Sequence, residues 1–533
     1  MISRRKFLEL SQVVGLSMII PSLNSRCSDK NEIAGKIMGQ NAALGHRLRA
    51  MDFGPITQEI KTDVVIVGGG VSGLSAARYL AKHTRNFCLL EMDDDLGGNS
   101  RGGSNAVSKF PWGAHYLPIP GHSDQELITF LKDCNVITGI KNGLPVYNEY
   151  YLCHDPKERL FINNFWQEGI VPHEGVPKKD REEIQRFLDL MYDFKMKTGK
   201  DQRPAFSIPV ELSSKDEQFI LLDSITAEKF LSSHRFSSPY LVWYVNYCCA
   251  DDFGTSISQT SAWAMIHYFA ARNSKASNAA SDAVLTWPEG NYWLVNQMRK
   301  SIQDQITTNA MVYQVKEEGN GVTCLYYDAM ENATKKIIAN SVILATPQFI
   351  NQRILSDTSR GIDYTKFEYA PWMVANLITD HALNERRGEG ICWDNVIYGS
   401  DSLGYVNASH QDISLHHNKK VLTYYKPLVS DNTVDARRKA HQTSLKEWRE
   451  LMFKDLQKAH PDLIKHVDEM NVWVWGHGMI KPSTNFIWNE NKLHAQQHIN
   501  NKIFFAHSDL SGISIFEEAF YQGHKAAKAL LAS

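Results

Sequence analysis

A glycine-rich turn follows an apolar segment near residue 65. Residues 63–67 are one aspartate and four β-branched residues, as in a strand that is buried on both faces of a parallel sheet. Three glycines come next, and residues 74–80 continue in a helical pattern. In such a turn Gly68 permits a tight bend, Gly70 lets a phosphate approach backbone N–H groups, and Gly73 lets the helix pack closely on the strand. The pattern therefore predicts a pyrophosphate site at the N-terminus of a helix. Its predicted contact residues are Gly68, Gly70, Val71, Ser72 and Gly73.

An acidic residue ends the next apolar segment. Residues 87–90 predict a second strand, and Glu91 follows it, 18 residues after Gly73. A carboxylate at this place in a strand-helix-strand unit binds the hydroxyls of a ribose. Residues 93–95 are all aspartate, and three carboxylates there would repel a 2′-phosphate. The unit is therefore predicted to bind a dinucleotide other than NADP.

Three later segments indicate which dinucleotide is bound. The first is a pair of glycines at 97–98, a few residues after Glu91. In the second, residues 340–347 form a strand pattern that ends in Ala-Thr-Pro. In the third, residues 503–509 form another strand pattern before an amphipathic segment. In these blocks the chain resembles the flavin-dependent amine oxidase superfamily, which includes monoamine oxidase, phytoene desaturase and protoporphyrinogen oxidase. The blocks stand in the order of that superfamily, and the sequence contains no second glycine pattern for a nicotinamide cofactor. The resemblance implies that the cofactor is FAD.

The resemblance also implies which residues contact FAD beyond the first turn. Asn99 stands where many relatives have arginine, and Arg101 is expected to act in its place. Val312 would lie beside the adenine and Asp509 beside the ribityl chain. Backbone donors at Gly512 and Ile513 would face the N1/C2 edge of the reduced flavin. The implied residues are Gly97, Gly98, Arg101, Gly113, Ala114, Val312, Asp509, Gly512 and Ile513.

These blocks predict an α/β chain with two discontinuous domains. One is a Rossmann-like FAD-binding domain of the glutathione-reductase type, and the other is an inserted α+β substrate domain. The FAD-binding domain is predicted at 60–120, 280–355 and 490–533, and the substrate domain at 121–279 and 356–489. Within the substrate domain, the apolar spacing over 181–197 predicts an amphipathic helix, and the aromatic segment 239–253 predicts a buried helix or cavity wall.

The catalytic residues are predicted from aromatic and histidine clusters. Amine oxidases of the superfamily often carry a lysine in the strand after the Ala-Thr-Pro segment, and this chain has Val374 there. Trp475 and His477 lie shortly before the last FAD strand, and alternation in an extended strand would put both on one side. His115 follows the second flavin segment and is expected to shape the pocket of the ring. The alternative for each is a hydrogen-bonded or stacked core residue.

Composition excludes several other classes of protein. The 533 residues are 43% hydrophobic and 22% charged, which is typical of a globular chain of at least two lobes. The net charge of −2 does not suggest a nucleic acid or an anionic membrane as partner. The eight cysteines form no CxxC pair and no Cys/His spacing, so no metal site is predicted. Residues 501–533 contain no cysteine, where some relatives attach the ring, so the FAD is predicted to be non-covalent.

The N-terminus predicts export. Arg4 and Arg5 precede Lys6, Phe7 and Leu8, and an apolar stretch follows, which together resemble a bacterial twin-arginine signal over residues 1–27. The apolar stretch is too short for a permanent anchor, so no stable membrane span is expected after signal removal. The twin-arginine route carries folded proteins, which fits a tightly held cofactor and a periplasmic location. Lipidation of Cys27 is the alternative to simple cleavage.

The expected function is transfer of a hydride from a C–N or C–C bond of a small organic substrate to flavin N5. Oxygen, a quinone or another acceptor would then reoxidise the flavin. The alternatives are a desaturase or isomerase of an apolar substrate, which the missing lysine favours, and a flavin-binding redox subunit without turnover.

The signal can be tested by replacing both arginines of the pair. The double variant Arg4→Lys, Arg5→Lys is expected to stay in the cytoplasm with its FAD bound, because the transport route reads the arginine pair and not positive charge alone. Cell fractionation with flavin quantification measures this. Delivery of the double variant to the periplasm at the wild-type level would contradict the assignment.

Overall fold

Two large β-sheets organise the chain. The structure is a computed structural model that describes residues 33–355, 360–380, 383, 386–412 and 419–533. The predicted signal at 1–27 lies outside the described residues. The strands are β1 (Ile37–Gly39), β2 (Ile56–Val67), β3 (Phe87–Leu90), β4 (Gly102–Ser104), β5 (Lys109–Pro111), β6 (Tyr116–Pro118), β7 (Ile137–Lys141), β8 (Leu144–Tyr147), β9 (Glu158–Ile162), β10 (Phe165–Glu168), β11 (Val284–Thr286), β12 (Ile306–Thr307), β13 (Ala310–Glu318), β14 (Gly321–Asp328), β15 (Ala333–Leu344), β16 (Tyr369–Asp380), β17 (Asp394–Ile397), β18 (Tyr405–Asn407), β19 (Lys419–Pro427), β20 (Val467–Ile480) and β21 (Ile503–Phe505).

Helices cover the faces of the sheets and connect their strands. The α-helices are α1 (Ala42–Ala50), α2 (Val71–Leu80), α3 (Gln125–Asp133), α4 (Lys178–Met196), α5 (Glu217–Ile220), α6 (Ala227–Ser233), α7 (Pro239–Phe253), α8 (Ala262–Ala270), α9 (Tyr292–Arg299), α10 (Gln348–Ile354), α11 (Thr433–Gln442), α12 (Leu445–Leu456), α13 (Leu463–His466), α14 (Glu490–Gln496) and α15 (Phe516–Ala532). No helix among these is long and apolar enough to cross a bilayer.

The first sheet is the predicted Rossmann-like sheet. Its strand order is β12-β3-β2-β15-β14-β13, and β21 pairs with the last residues of β15. Strands β3, β2, β15 and β21 run parallel, whereas β13, β14 and β15 form an antiparallel meander. The parallel strands are buried and apolar at residues 64–67, 342–344 and 503–505, as the β-branched composition of 64–67 predicts. The predicted fold class is confirmed.

The second sheet joins both predicted insertions. Its order is β1-β20-β16-β19-β18-β17-β9-β10, so strands from 158–168 pair with strands from 394–407. Strand β1, which the sequence analysis did not assign, adds an edge parallel to β20. The domain boundaries drawn from the sequence stay a prediction.

Both helices predicted in the substrate region are present. Helix α4 buries Ile184, Phe187, Met191 and Phe194, which share the face expected from their spacing. Helix α7 begins after Ser238, whose side chain accepts the N–H of residue 241, and it ends at a glycine in the left-handed conformation. The two helices pack on each other.

The last helix begins slightly later than expected. The amphipathic pattern that follows residues 503–509 is consistent with a helix from about Ser514, and α15 begins at Phe516. The hydroxyl of Ser514 accepts the N–H of Ile480, and Ile515 is extended, so these two residues connect the helix to β20 instead of joining its first turn. Such differences of one or two residues are ordinary at helix ends.

Helices α2 and α15 pack with their backbones almost in contact. A Cβ built on Gly523 would lie 2.0 Å from the carbonyl oxygen of Ser72, and the hydroxyl of Ser75 donates to the carbonyl of Phe520 at 2.7 Å. Only glycine fits at position 523. The last helix is thereby held against the first helix of the nucleotide-binding unit.

Adding one methyl group at this contact should destabilise the fold. We expect Gly523→Ala to lower the free energy of unfolding by about 1–3 kcal/mol, because the helices must separate to accept the Cβ. Urea unfolding followed by circular dichroism measures this. Gly139→Ala is the matched control, since a Cβ at Gly139 meets no atom within 4 Å. Equal unfolding midpoints for the two variants would show that the helix contact is not tight.

Candidate functional site

The glycine-rich turn has the geometry that its three glycines predict. Gly68 has φ of 101°, and a Cβ there would lie 2.7 Å from the carbonyl oxygen of Ala345 on the neighbouring strand segment. A Cβ on Gly73 would lie 1.9 Å from the carbonyl oxygen of Gly68. A Cβ on Gly70, by contrast, would meet no atom within 4 Å. The first and third glycines are thus required by packing, and the second borders an open space.

That open space lies at the N-terminus of α2. Gly70 precedes the helix in an extended conformation, and no side chain caps the first turn. The first N–H groups of a helix have no acceptor within the helix, and they favour an anion. Val71 and Ser72 are the first two residues of α2, so this end of the helix can hold a phosphate.

Glu91 lies at the end of β3, beside the turn. Its carboxylate accepts the N–H of Gly69 at 2.6 Å and the N–H of Asp93 at 2.8 Å. Burial and the nearby charge of Asp93 raise the pKa of Glu91 to about 7. A desolvated carboxylate with remaining acceptor capacity suits the hydroxyls of a ribose. Val312 lies further along, buried in β13 at a register shift of that strand.

The second glycine pair lies directly over the first turn. The N–H of Gly97 donates to the carbonyl of Gly69 at 2.9 Å, and a Cβ on Gly98 would lie 3.5 Å from the Cα of Gly70. The guanidinium of Arg101 is 2.7 Å from the carboxylate of Asp94. Because that ion pair occupies the guanidinium, the role of Arg101 at the cofactor stays a prediction.

The segment around Gly113 is held against the same loop. A Cβ on Gly113 would lie 2.2 Å from the carbonyl oxygen of Asn99, and the N–H of Ala114 donates to that oxygen at 2.8 Å. The hydroxyl of Tyr425 on β19 donates to the carbonyl of Gly113 at 2.9 Å. This segment therefore links the nucleotide-binding loops to the second sheet.

Asp509 offers an unused acceptor in the interior. Its Oδ2 accepts the N–H of Gln348 at 2.9 Å and the hydroxyl of Tyr369. Its Oδ1 is buried and, within the part of the chain that the structure describes, has no hydrogen-bond donor. His507 Nδ1 lies 3.0 Å from Oδ1 but accepts the N–H of Asp509, so it does not donate. A buried carboxylate oxygen without a donor fits a hydroxyl of a bound ribityl chain.

One of the two backbone donors expected at the ring is already used. The N–H of Gly512 donates to the carbonyl of Ser508 at 3.0 Å, inside a turn where Gly512 has φ of 89°. The role predicted for these donors therefore remains for Ile513 alone.

An acidic group with aromatic walls lies beside the Gly113 segment, and we call it the acidic chamber. Asp394 on β17 is the direct cross-strand partner of Glu158 on β9, and Asp251 on α7 is close enough to raise the pKa of Asp394. All three carboxylate residues are partly exposed, and burial raises the pKa of each. The other members are His115, Tyr116, Tyr247, Trp393 and Tyr425.

The carboxylates of the acidic chamber raise one another's pKa values. Burial, Asp252 and Glu158 raise the pKa of Asp251 to about 7, although Arg272 acts against them. Burial, Glu158 and Asp251 raise the pKa of Asp394 well above its ordinary value. Like charges on directly opposite strand positions are unfavourable. The arrangement is therefore poised to accept a cation.

His115 belongs to this chamber. Its ring centroid is 4.7 Å from that of Tyr425 and 5.4 Å from that of Trp393. Burial lowers the pKa of His115 to about 3, so the imidazole is neutral. Its position beside Gly113 agrees with the predicted role of shaping the pocket, and its catalytic role stays a prediction.

Trp475 and His477 do not contact the same groups. Trp475 donates its indole N–H to the carbonyl of Trp112 at 2.6 Å, and its ring lies 5.2 Å from that of Trp473, as the alternation of β20 predicts. His477 stacks on Phe349 at 4.1 Å. Ala370 pairs with Met479 and Trp372 pairs with Trp475, so three residues of β20 stand opposite one residue of β16. The two extra residues in β20 break the alternation between Trp475 and His477.

The surroundings of His477 point toward the cofactor. Its ring lies 5.7 Å from that of Tyr369, whose hydroxyl binds Asp509. Burial, then Arg437 and His441, lower the pKa of His477 to about 3. These contacts place His477 near Asp509, and the catalytic role predicted for His477 stays a prediction.

No lysine replaces the missing one at the chamber within the described residues. Val374 is buried in β16, paired with Trp473 and Tyr425. Lys481, which follows β20, forms an ion pair with Glu368, and Lys426 on β19 contacts the backbone of a surface loop.

A cavity of about 400 Å³ lies near the acidic chamber. Arg272 connects the two, because it lines the cavity and its guanidinium lies 3.5 Å from the carboxylate of Asp252, the neighbour of Asp251. Glu517, in the first turn of α15, lines the same cavity. The sequence analysis missed Asp251 and Glu158. An acidic pair at the end of the aromatic segment 239–253 was the available signal.

Comparison with known proteins identifies the family. A profile described as flavin containing amine oxidoreductase matches residues 71–531. The chain belongs to this family. FAD is its cofactor, and the open turn at Gly70, the acid Glu91 and the unused oxygen of Asp509 fit that molecule.

Individual relatives are distant. A flavin-containing amine oxidase of Oncorhynchus mykiss is 22% identical over 320 residues, which are 56% of this chain and 52% of that protein. The chain thus spans about half the length of the curated relatives it matches. A triple mutant of putrescine oxidase has a TM-score of 0.65 at 15% identity, covering 89% of this chain and 99% of that one. A CLA-producing fatty acid isomerase from P. acnes has a TM-score of 0.57 at 14% identity, covering 88% and 98%. These likenesses show the fold.

Glu91→Gln should weaken FAD binding without unfolding the protein. A charge-assisted hydrogen bond contributes about 1.5–3 kcal/mol, so we expect the Kd for FAD to rise by about tenfold or more. Because ribose hydroxyls donate to the ionised carboxylate, wild-type affinity should increase as the pH rises through about 7, the pKa of Glu91, and the variant should lose this dependence. Release of fluorescent FAD on dilution measures both. Glu59→Gln, the same substitution at an exposed position of β2, is the control, and equal affinities for the two variants would show that Glu91 does not bind the ribose.

Proposed function

We propose that this protein oxidises amines that enter the acidic chamber as cations. The observation that carries the proposal is the set of three carboxylates, Glu158, Asp251 and Asp394, beside the segment at Gly113 that is predicted to approach the flavin ring. Bound FAD supplies a hydride acceptor at N5 for the carbon next to the amine nitrogen.

The charge of the chamber supports a cationic substrate. Asp394 and Glu158 face each other across adjacent strands, and Asp251 adds to their repulsion. An ammonium group placed among them would relieve this repulsion and would replace part of the lost hydration of the carboxylates. An apolar substrate would leave the three groups desolvated and unpaired, which is unfavourable.

The aromatic walls fit the same substrate. The rings of Trp393 and Tyr425 both pack on that of His115, and Tyr116 packs edge-on against Trp393. Aromatic faces attract organic cations, and attraction is stronger where water is excluded. The neutral imidazole of His115 adds no repulsion to a cation.

A carboxylate of the chamber can also remove a proton. Loss of a hydride from carbon requires a lone pair on the adjacent nitrogen, so an ammonium must first be deprotonated. Asp251, with a pKa raised to about 7, can accept that proton near neutral pH. We therefore infer that Asp251 acts as the base and that Asp394 and Glu158 hold the positive charge.

Two alternatives remain testable beside this proposal. The first is a desaturase or isomerase of an apolar substrate, and the second is a flavin-binding redox subunit without turnover. Anaerobic mixing separates the three, because bleaching of the flavin by amines supports amine oxidation, bleaching by polyenes supports a desaturase, and no bleaching by a broad panel supports the redox subunit.

We further propose that the protein works in the periplasm with oxygen, a quinone or another acceptor. The twin-arginine pattern at Arg4 and Arg5 supports the location. Comparing flavin reoxidation by air with reoxidation by a soluble quinone identifies the acceptor.

Removing one charge from the chamber should weaken cation binding. We expect Asp394→Asn to raise the KM for a primary amine by about tenfold or more, because a charge-assisted contact contributes about 1.5–3 kcal/mol. Steady-state kinetics of the holoenzyme measures this. Asp401→Asn, an exposed acid on the loop that follows β17, is the control. A KM within twofold of wild type for both variants would place the substrate elsewhere.

The pH dependence of cation binding should follow the chamber carboxylates. Benzyltrimethylammonium keeps its charge at every pH, so only the protein titrates. Its inhibition constant should fall as the pH rises through about 7, because Asp251 ionises there. In Asp251→Asn the inhibition constant should change much less over the same range. An inhibition constant independent of pH in the wild-type enzyme would contradict a carboxylate site.

A further inference from the structure

Five basic side chains gather around residues 476 and 477 of β20, and we call them the basic cluster. They come from three separate elements: two from α1, two from α11 and one from β20. The members are His46, Arg49, Arg437, His441 and His477.

The members of the cluster are close to one another. A Cβ built on Gly476 would lie 2.9 Å from His441 Nε2 and 3.2 Å from Arg437 Cδ. The guanidinium of Arg437 donates to the carbonyl of Gly476 at 3.5 Å. Burial and the charge of Arg49 lower the pKa of Arg437, and burial, His46 and Arg437 lower the pKa of His441. The two helices thus present their positive charges to a common space.

The charge of the cluster is not neutralised by the protein. Among the described residues, no carboxylate lies within ion-pair distance of Arg437 or Arg49, whereas the adjacent Arg438 pairs with Asp435 at 2.9 Å. Uncompensated like charges repel one another, and a bound anion would remove that repulsion.

Elements that carry the basic cluster contact the neighbours of Glu91 and of Asp509, the two acids predicted to bind the sugar parts of FAD. Helix α1 packs on the residues after Glu91: the N–H of Asn41 donates to Asp93 at 2.7 Å, and a Cβ on Gly45 would lie 3.4 Å from the sulfur of Met92. His477 lies against Tyr369, which binds Asp509. In FAD the pyrophosphate stands between the ribose, expected at Glu91, and the ribityl chain, expected at Asp509.

The two residues beside the second glycine pair, Asn99 and Arg101, do not supply a free positive charge. Asn99 occupies the position where many relatives have arginine, and its amide donates to the carbonyl of Gly478. Arg101 is held in an ion pair with Asp94. The hydrogen bond from Asn99 to Gly478 joins the loop of the second glycine pair to the segment of β20 that carries His477.

We propose that Arg437 supplies the positive charge that faces the pyrophosphate of FAD. This function goes beyond the glycine-rich turn, because it depends on α11, a helix that lies outside the Rossmann-like sheet. It would also hold α11 over the cofactor.

The test compares neighbouring arginines in the full-length holoenzyme. We expect Arg437→Gln to raise the Kd for FAD by about tenfold or more, and Arg438→Gln, on the same helix, to change it less than twofold. Arg437→Lys should recover most of the affinity, because a charge is restored. Release of FAD fluorescence on dilution measures the Kd without any substrate, so failure of the amine proposal would not affect the result.

Competing ligands show which part of FAD the arginine faces. In wild type, ADP should displace FAD better than adenosine does, and Arg437→Gln should reduce that advantage by about the same factor as it weakens FAD. The dependence of the Kd on salt should also become shallower in the variant. Two results would overturn the proposal: equal FAD affinity in Arg437→Gln and Arg438→Gln, or equal weakening of ADP and adenosine, which would indicate a merely structural arginine.

Discussion

The nucleotide-binding half of this protein depends on backbone segments that touch with no side chain between them. The carbonyl of Gly68 occupies the space that a Cβ on residue 73 would need, and the carbonyl of Ser72 does the same for residue 523. These contacts fix β2, α2 and α15 relative to one another. Because they leave Gly70 facing open space, the same contacts create the phosphate site.

Desolvation is the second physical theme of the structure. Glu158, Asp251 and Asp394 lie in an aromatic surrounding that raises their pKa values, and the sheet pairing forces two of them to face each other. Such an arrangement is unfavourable for stability by itself. Strained electrostatics of this kind is expected where a ligand of opposite charge completes the site.

Charge is distributed along the expected cofactor path in an ordered way. Glu91 and Asp509 are the acids predicted to bind the sugar parts of FAD, and we propose that Arg437 of α11 faces the pyrophosphate that joins those parts. The negative charges suit ribose and ribityl hydroxyls, because these donate hydrogen bonds, and the positive charge suits a pyrophosphate, because it is anionic. The neutral state of His115 and His477, both with pKa values of about 3, keeps additional positive charge out of the interior.

The sequence by itself determined the features that depend on neighbours along the chain. Three glycines and an acid in one strand-helix-strand unit predicted the turn, and the apolar spacings of α4 and α7 predicted those helices, because local geometry and periodicity decide them. Tertiary structure alone decided the rest. Glu158, Asp251 and Asp394 meet through the pairing of β9 with β17 and the packing of α7, and His477 turned away from Trp475 because two extra residues in β20 break the alternation. Contacts between residues a hundred or more positions apart follow from strand pairing and register, and no local pattern in the chain specifies either.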